Sequence, residues 1–521
     1  MHSIYYKTIF ISLLLGACAQ APVAPTTGSQ QAPRVAAETS PEVSPLPNVA
    51  LDERMLYEFL LGDIALQRGR PELAMQAYAD LAKITRDPRV ARRAAQLAFE
   101  SRHMDKAIDA FAFWQELEPK ATLPNQMLVS LLLSGGKLSE ATPHVQRWLA
   151  KESKNVGPVF VQIHALLARA SSKAIAFDWI SKLAEPYPKV AEAHWVVAQF
   201  ALDASKKELA KSEAQRAVEL RPEWDAAVML EAQLLMSTDA KLGLEKLLTY
   251  LQAYPANNEV RLYYARALLE QKFYVESRAQ FQQLFEINRG NVELAFAVAL
   301  LSLQMGELDR AEKEFESMLV QGKKDAGTIH YYLGQLKETR KDDAGALAEY
   351  QQVLQGEYVF AARLREAYLL GKEAKIKEAR AILKSAPVTN NRQRVTVTIV
   401  EAQLLREAKQ YETSYLVLLG ALDALPSDPQ LLFEAAITAD KLGKVDAFEQ
   451  TLRKLLQVAP EHAQAYNALG YSLLDRNVRL EEGMRLVEKA YQLEPNDAAI
   501  TDSVGWGYYR LGRMDKSAEL L

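Results

Sequence analysis

The sequence of 521 residues predicts an all-α solenoid of about 14 helix pairs, and three periodic features support this fold class. In one helical stretch of each unit, a small residue recurs at intervals of 33 to 35 positions, at Ala265, Ala299, Gly334, Ala367, Ala402, Ala436, Gly470 and Gly505. A second helical stretch carries its own small residue, followed four positions later by a bulky one, as in Ala311 and Phe315. Prolines such as Pro222 and Pro460 close many units, because proline lacks the amide hydrogen that helix continuation requires.

This unit resembles the tetratricopeptide repeat family, which has small residues at two helix crossings, a bulky residue one turn on and a closing proline. The resemblance covers roughly nine tenths of the chain, from about residue 55 onward. It implies a right-handed superhelix. It says less about activity, because one repeat fold can serve many functions.

The N-terminal residues 1–17 have the composition of a secretory signal peptide. Lys7 is their only charge, an apolar stretch runs from Ile9 to Leu15, and small residues lie directly before Cys18. The apolar stretch is too short to span a bilayer. The run LGAC at this point resembles the lipobox of bacterial lipoproteins, which implies that Cys18, the single cysteine, is lipidated. A soluble periplasmic protein with a coincidental cysteine is the alternative.

Residues 18–50 are predicted to form a lipidated, disordered linker. Residues 19–50 contain six prolines and no aromatic residue, and they show no helical or strand period. Ala19 follows the cysteine where an aspartate would retain a lipoprotein at the inner membrane, so the resemblance implies the outer membrane. The repeat domain then occupies residues 51–521, and Asp52 is the expected cap of its first helix.

Three places in the repeat domain depart from the regular pattern. Thr142-Pro143 is expected to interrupt a helix near its start, and residues 386–394 are expected to form a longer loop. Val395–Val400 alternates with threonine and is compatible with a strand, but Ala402 continues the helical spacing, so we expect a helix. The last unit stops halfway through its second helix without a polar cap. We therefore expect that the chain is truncated at its C-terminus.

Composition and motifs argue against catalysis and against nucleic-acid binding. The net charge is −4, so no bulk positive charge attracts a phosphate backbone. No two of the seven histidines have the helical spacing of metal ligands, and no phosphate-binding glycine loop or nucleophile motif occurs. We expect a protein that is not an enzyme, with no catalytic residue, metal, cofactor or small-molecule substrate.

The first helices of stacked pairs should line a concave channel, and residues beside each small position should point into it. Aromatic and arginine side chains are common binding anchors, which favours an extended protein segment as the ligand. The alternative is that many of these residues form the core between repeats. The candidate channel residues are Phe59, Arg92, Trp195, Arg266, Phe296, Tyr331, Gln335, Tyr368, Tyr471, Trp506 and Tyr509.

A lipid-anchored, non-catalytic solenoid would act by holding other proteins near the membrane, where partner and client meet at high effective concentration. The C-terminal run LEPNDAAITDSVGWGYYRLGRMDKSAELL, with DRNVRLEEG before it, resembles proteobacterial outer-membrane lipoproteins that are adaptors of a carboxyl-terminal processing protease. That resemblance implies a periplasmic protease and its cell-wall hydrolase clients as partners. Two alternatives are a structural component of an envelope export machine for pili or polysaccharide, and the repeat region of a larger enzyme such as a glycosyltransferase.

Overall fold

A computed structural model describes residues 47–168, 172–322 and 325–520, and all regular secondary structure in these ranges is helical. The predicted signal peptide, Cys18 and nearly all of the predicted linker lie outside the described residues. The chain divides into two compact units, and the boundary in sequence falls between Ile287 and Asn288.

The described part of the first unit contains 14 helices, arranged as seven pairs of consecutive helices. They are α1 (Glu53–Gln67), α2 (Pro71–Thr85), α3 (Pro88–Glu100), α4 (Met104–Leu117), α5 (Leu123–Ser134), α6 (Leu138–Lys151), α7 (Gly157–Leu167), α8 (Lys173–Ala184), α9 (Ala191–Asp203), α10 (Lys207–Leu220), α11 (Asp225–Met236), α12 (Ala240–Ala253), α13 (Asn258–Glu270) and α14 (Tyr274–Ile287).

The second unit also has seven pairs within its described residues. They are α15 (Val292–Gln304), α16 (Leu308–Gln321), α17 (Ala326–Thr339), α18 (Asp343–Gln351), α19 (Val359–Lys372), α20 (Ile376–Ser385), α21 (Asn391–Glu407), α22 (Tyr411–Ala424), α23 (Pro429–Lys441), α24 (Val445–Val458), α25 (Ala463–Asp475), α26 (Leu480–Leu493), α27 (Ala498–Arg510) and α28 (Met514–Leu520). The predicted number of about 14 helix pairs is confirmed.

The small residues lie where the two helices of a pair cross. A Cβ atom added to Gly334 in α17 would be 2.6 Å from the Tyr350 ring of α18, and one added to Gly62 in α1 would be 2.7 Å from the Tyr78 ring of α2. Each tyrosine follows the small residue of its own helix by four positions, as the periodicity predicts. Close approach of the helices therefore depends on the missing side chain.

Serine replaces alanine at some second-helix small positions and adds a hydrogen bond there. The hydroxyl groups of Ser277 and Ser414 each donate to the backbone carbonyl of the partner helix's small residue, Ala265 or Ala402, at 2.8 Å. Ser517 donates in the same way to Gly505 at 2.9 Å. The repeated geometry satisfies the buried hydroxyl group, so serine is tolerated in this apolar crossing.

The apolar cores follow the pairs along the chain. In the first unit one cluster of buried side chains extends from Ala65 to Leu268. In the second unit one cluster of buried side chains runs from Val395 to Leu469. Each pair therefore buries one face against its neighbours, which is how repeat proteins gain most of their stability.

The structure differs from the sequence expectation at Pro143. Helix α6 is not interrupted there but runs from Leu138 to Lys151. Proline removes only one amide hydrogen bond near the start of the helix, and the neighbouring Thr142 hydroxyl donates to the Leu138 carbonyl at 2.9 Å. It also accepts a bond of the same length from the indole of Trp179 in α8. These contacts hold the helix across the proline.

The other two expectations have different outcomes. The helix predicted over Val395–Val400 is confirmed, since this segment lies inside α21. The loop expected at 386–394 is shorter than predicted, because α21 begins at Asn391. The side chain of Asn390 accepts from the Gln393 amide at 2.9 Å and caps the helix. The Asp52 cap is also confirmed, since its carboxylate accepts from the Met55 amide at 2.8 Å.

Candidate protein-binding surface

The candidate channel residues of the first unit lie in different environments. The Phe59 side chain is 45% exposed and makes an edge contact with the Tyr78 ring. Arg92 is exposed, with its guanidinium 5.8 Å from the centre of the Trp114 ring. Trp195 is buried, and its indole donates to the Ala226 carbonyl at 3.2 Å. Arg266 is partly buried. Of these four, Phe59 and Arg92 are therefore the accessible side chains.

The next candidates, in the second unit, belong to an aromatic cluster on helices α15 to α19. Tyr331 stacks on Tyr358 with ring centres 4.7 Å apart, and Phe296 contacts Tyr332 at 5.4 Å. The Gln335 amide donates to the Tyr331 hydroxyl at 3.1 Å. Burial raises the pKa of Tyr331 to about 12. These side chains pack mainly against one another, which leaves little of them for a ligand.

Tyr368 lies close to this cluster in sequence and is partly exposed. The guanidinium of Arg365 lies 5.0 Å from the centre of its ring. Arg365 also forms an ion pair with Glu338 in α17. The contact therefore places a fixed cation on one face of the Tyr368 ring.

The last three candidates form the most accessible group, on the first helices α25 and α27, which pack against each other. Tyr471 is 41% exposed and Tyr509 is 47% exposed. The Trp506 ring stacks on Tyr509 with centres 5.2 Å apart, and the guanidinium of Arg510 lies 5.6 Å from the Trp506 ring centre. We call Asn467, Tyr471, Trp506, Tyr509 and Arg510 the α25–α27 surface.

Two buried polar atoms of the α25–α27 surface have no hydrogen-bond partner among the described residues. They are the carbonyl oxygen of the Asn467 side chain and the indole nitrogen of Trp506. An unpaired buried polar group costs stability, and the candidate residues Arg266 and Gln335 each carry one as well.

Asn467 and Arg510 were missed by the sequence reasoning. Asn467 precedes Gly470 by three positions, the same offset that selected Phe59 and Trp195. The signal was therefore present in the spacing, but the search favoured aromatic and arginine side chains. Arg510 lies outside the offsets used, and only the geometry of the ring contact identifies it.

The histidines within the described part of the chain do not converge into a chemical centre. His194 contacts Glu213 at 2.6 Å and His330 contacts Glu349 at 2.7 Å, in each case across 19 residues. The bond to Glu213 raises the pKa of His194. The same 19-residue spacing joins Arg261 to Gln280. These contacts therefore link the two helices of a pair.

Two further findings bear on metals and membranes. Within residues 47–168, 172–322 and 325–520, no group of three or more histidine, cysteine, aspartate or glutamate side chains is placed to hold a metal ion. None of the described helices is long and apolar enough to cross a membrane.

Consecutive helix pairs with glycine or alanine at their crossings define an α-solenoid of the tetratricopeptide repeat type. The tetratricopeptide repeat family model matches residues 296–358 and 433–498, so the chain contains such repeats. It is also similar to the TPR repeat-containing protein PA4667 of Pseudomonas aeruginosa, with 29% identity over 507 residues. These cover 97% of this chain and 85% of the relative.

The chain is also similar to several solved structures, of which three follow. The structure of Naa15/Naa10 bound to HypK-THB has a TM-score of 0.39 and 12% identity, over 90% of this chain and 93% of that chain. The Cut9–Hcn1 hetero-tetramer of APC/C has a TM-score of 0.30 and 13% identity, over 87% of this chain and 96% of that chain. The C-terminal part of a TPR repeat-containing protein from Cytophaga hutchinsonii has a TM-score of 0.37 and 15% identity, over 47% of this chain and 99% of that chain.

Proposed function

We propose that this protein is a membrane-anchored scaffold of the bacterial periplasm, which binds extended protein segments on its first helices. The observation that carries the proposal is the α25–α27 surface. There Tyr509 is exposed and stacks on Trp506 beside Arg510, and Tyr471 is exposed on the adjacent helix. Rigid aromatic rings offer large contact area with little loss of conformational entropy. The repeats supply the stiff frame that holds these side chains in place.

The binding partner we propose is a carboxyl-terminal processing protease, together with its cell-wall hydrolase clients. The support for this partner is the resemblance of the C-terminal run, within which Trp506, Tyr509 and Arg510 lie. A scaffold that binds both proteins raises the concentration of each near the other without new chemistry. The protein would therefore accelerate cleavage while having no catalytic group of its own.

The experiment compares binding of the purified protease to the wild-type chain and to a Tyr471→Ser/Tyr509→Ser variant. We expect the dissociation constant to rise at least about tenfold, because two anchor side chains are lost. The matched control is Tyr254→Ser, which changes a tyrosine that is 38% exposed at the end of the second helix α12. An unchanged affinity in the double variant would contradict the proposed surface.

The proposed location depends on Cys18, which lies outside the described residues. We propose that acyl chains on this cysteine hold the protein at the outer membrane, since two or more chains anchor a protein far more durably than one. A Cys18→Ala variant should move from the outer-membrane fraction to the soluble periplasmic fraction. A variant that still sediments with the outer membrane would rule out this anchor.

A further inference from the structure

Helix α1 presents an apolar stripe on its outward face. The stripe consists of Leu56, Tyr57, Leu60 and Ile64, whose side chains are each between 45% and 61% exposed. Spacings of three and four positions place them on one side of the helix, away from the side that packs against α2. No part of the described chain covers this stripe, so α1 has an apolar face without a partner.

The equivalent face of a later first helix is buried. In α9, Val196 and Phe200 have the same offsets from the small residue of their helix as Leu60 and Ile64 have in α1. Both α9 side chains are fully buried, because α7 of the preceding pair packs against α9. The His164 ring of α7 lies 5.6 Å from the Phe200 ring, centre to centre. The stripe on α1 therefore lies on a face that a preceding helix pair covers elsewhere in the chain.

The sequence before α1 does not encode a helix pair of this kind. Prolines occur at positions 22, 25, 33, 41, 45 and 47, so no run between them exceeds seven residues. The two helices of the first pair have 15 residues each, and proline disrupts a helix interior. Residues 1–17 have the composition of a signal peptide, which is removed on export. The covering surface is therefore expected on another molecule.

The charges at the two ends of the stripe favour a second copy of this chain. Residues 52–54 carry two acids and one arginine, a net charge of −1, and residues 68–70 carry two arginines, a net charge of +2. If two copies of α1 packed in parallel, like charges would meet at both ends. In an antiparallel arrangement each acidic start meets the basic end of the other copy, and the helix dipoles also attract.

The other two acids of α1 do not oppose this arrangement. Glu58 lies nearly opposite the stripe, about 160° around the helix from Leu60. Asp63 lies on the flank of the stripe, and its carboxylate accepts a hydrogen bond from the Tyr78 hydroxyl at 2.6 Å. Neither acid therefore lies at the centre of the apolar stripe.

The area of the stripe fits a weak, reversible dimer. Four half-exposed side chains of this size offer on the order of 400 Å² on each copy, before polar flanking atoms are counted. Two copies would bury about 1,000 Å² in total, near the lower end of specific interfaces. We therefore expect a dissociation constant of about 1–50 µM.

We infer that this protein forms a two-fold symmetric dimer in which the α1 helices of two copies pack antiparallel. The two-fold axis passes beside Leu60, so that Leu60 contacts its counterpart and Leu56 lies opposite Ile64 of the second copy. Glu53 at the start of each helix then lies near Arg68 of the second copy. This interface is separate from the α25–α27 surface and does not rest on the proposed function.

Sedimentation velocity of the full chain carrying Cys18→Ala measures association without an acyl chain. We expect a monomer–dimer equilibrium between about 1 and 100 µM. Adding Leu60→Glu should raise the dissociation constant at least about tenfold, because two carboxylates then meet at the axis. The matched control is Leu416→Glu, which changes an exposed leucine of α22 and should leave the dissociation constant unchanged. Circular dichroism checks that each variant is folded.

A charge exchange tests the antiparallel orientation. Glu53→Lys and Arg68→Glu should each weaken the dimer about threefold to tenfold, since each brings like charges together. The double variant Glu53→Lys/Arg68→Glu should restore the wild-type dissociation constant, because opposite charges meet again. A mere effect on the stability of α1 would instead make the double variant the weakest, since both changes oppose the helix dipole.

Several results would overturn the inference. They are a chain that stays monomeric at about 100 µM, an unchanged dimer in Leu60→Glu, equal weakening by Leu416→Glu, and a double charge exchange that is weaker than either single one. Two further results would assign the stripe to another partner. In these, the chain is monomeric, and Leu60→Glu abolishes binding to vesicles of phosphatidylethanolamine and phosphatidylglycerol, or to the purified protease.

Discussion

At the scale of single residues, Glu449 of α24 joins neighbouring repeats through two arginines. Its carboxylate accepts from Arg479 at the start of α26 at 2.8 Å and from Arg453 of its own helix at 2.9 Å. Arg453 also pairs with Glu482. These bonds lower the pKa of Glu449 to about 2, and the bond from Arg479 has the largest effect. The network therefore stabilises the folded state only while the carboxylate is charged.

The sign of the pH dependence follows from this lowered pKa. Glutamate in the unfolded chain titrates near pH 4.5. The contribution of the Glu449 network to the free energy of unfolding is therefore fully present above that pH and is lost as the pH falls toward about 2. Glu449→Gln should lower the free energy of unfolding by about 1–2 kcal/mol at pH 7, and the difference from the wild type should shrink between pH 4.5 and 2. Urea unfolding at several pH values measures it.

The control for this prediction is Glu481→Gln, on the exposed side of the first turn of α26. This change removes the same charge without breaking the Glu449 network. We expect a small difference from the wild type that does not vary in the same way with pH. A Glu449→Gln difference that stays constant from pH 7 to pH 2 would show that the network contributes nothing through its charge.

At the scale of elements, the turns from first to second helices share one backbone feature. Gly306, Gly443 and Gly512 take left-handed conformations two residues after their first helices end, and Ala374 occupies the same place with φ of 59°. Glycine adopts this conformation without strain, whereas the Cβ atom of alanine disfavours it. The repeat therefore imposes the left-handed turn conformation even at Ala374, where alanine disfavours it.

Ala374→Gly should raise the free energy of unfolding by about 0.5–1 kcal/mol, because it removes strain from the turn between α19 and α20. The mirror variant Gly443→Ala, in the turn between α23 and α24, should lower it by a similar amount. Urea unfolding of both variants measures the changes. If both shift stability in the same direction, the shared turn geometry does not account for it.

The helix pairs could be predicted because two independent small-residue patterns share one period, and each predicts the same crossings. The uninterrupted course of α6 could not be predicted. It depends on a hydrogen bond between Thr142 and Trp179, which lies 37 residues later in the chain. The spacing of residues in the sequence also could not show which candidate side chains are buried in the core and which are exposed. Trp195 and Phe59 have the same offset from their small residues, but the neighbouring Trp224 packs against Trp195 and helps to cover it.

A pocket between the α4–α5 turn and α6, lined in part by Lys120 and Arg147, was not predicted for a related reason. Lys120 and Arg147 are 27 positions apart, less than one repeat, and neither lies at an offset that the periodicity marks. They meet only because the α4–α5 turn packs against the end of α6. The α25–α27 surface was found in part, since Tyr471, Trp506 and Tyr509 flank the small residues that define the period.

At the scale of the whole molecule, each repeat unit gains its stability from its neighbours in sequence. Damage at one helix crossing should therefore spread only a short distance. Gly470 of α25 is the most informative site, because an added Cβ would lie 2.8 Å from the Gly483 carbonyl oxygen and 2.8 Å from a Val487 methyl carbon. The carbonyl belongs to the backbone of α26 and has little freedom to move.

Gly470→Ala should therefore lower the free energy of unfolding by about 1–3 kcal/mol, although alanine is the better helix former. In hydrogen exchange, the amides of α25 and α26 and of the adjacent pairs should lose protection, while those of α15 and α16 keep it. The matched control is Gly420→Ala in α22, where no neighbouring atom lies within 4 Å of the added carbon. That variant should be neutral or slightly more stable. Uniform loss of protection from α15 to α28 in Gly470→Ala would mean that the second unit unfolds as one cooperative body, not repeat by repeat.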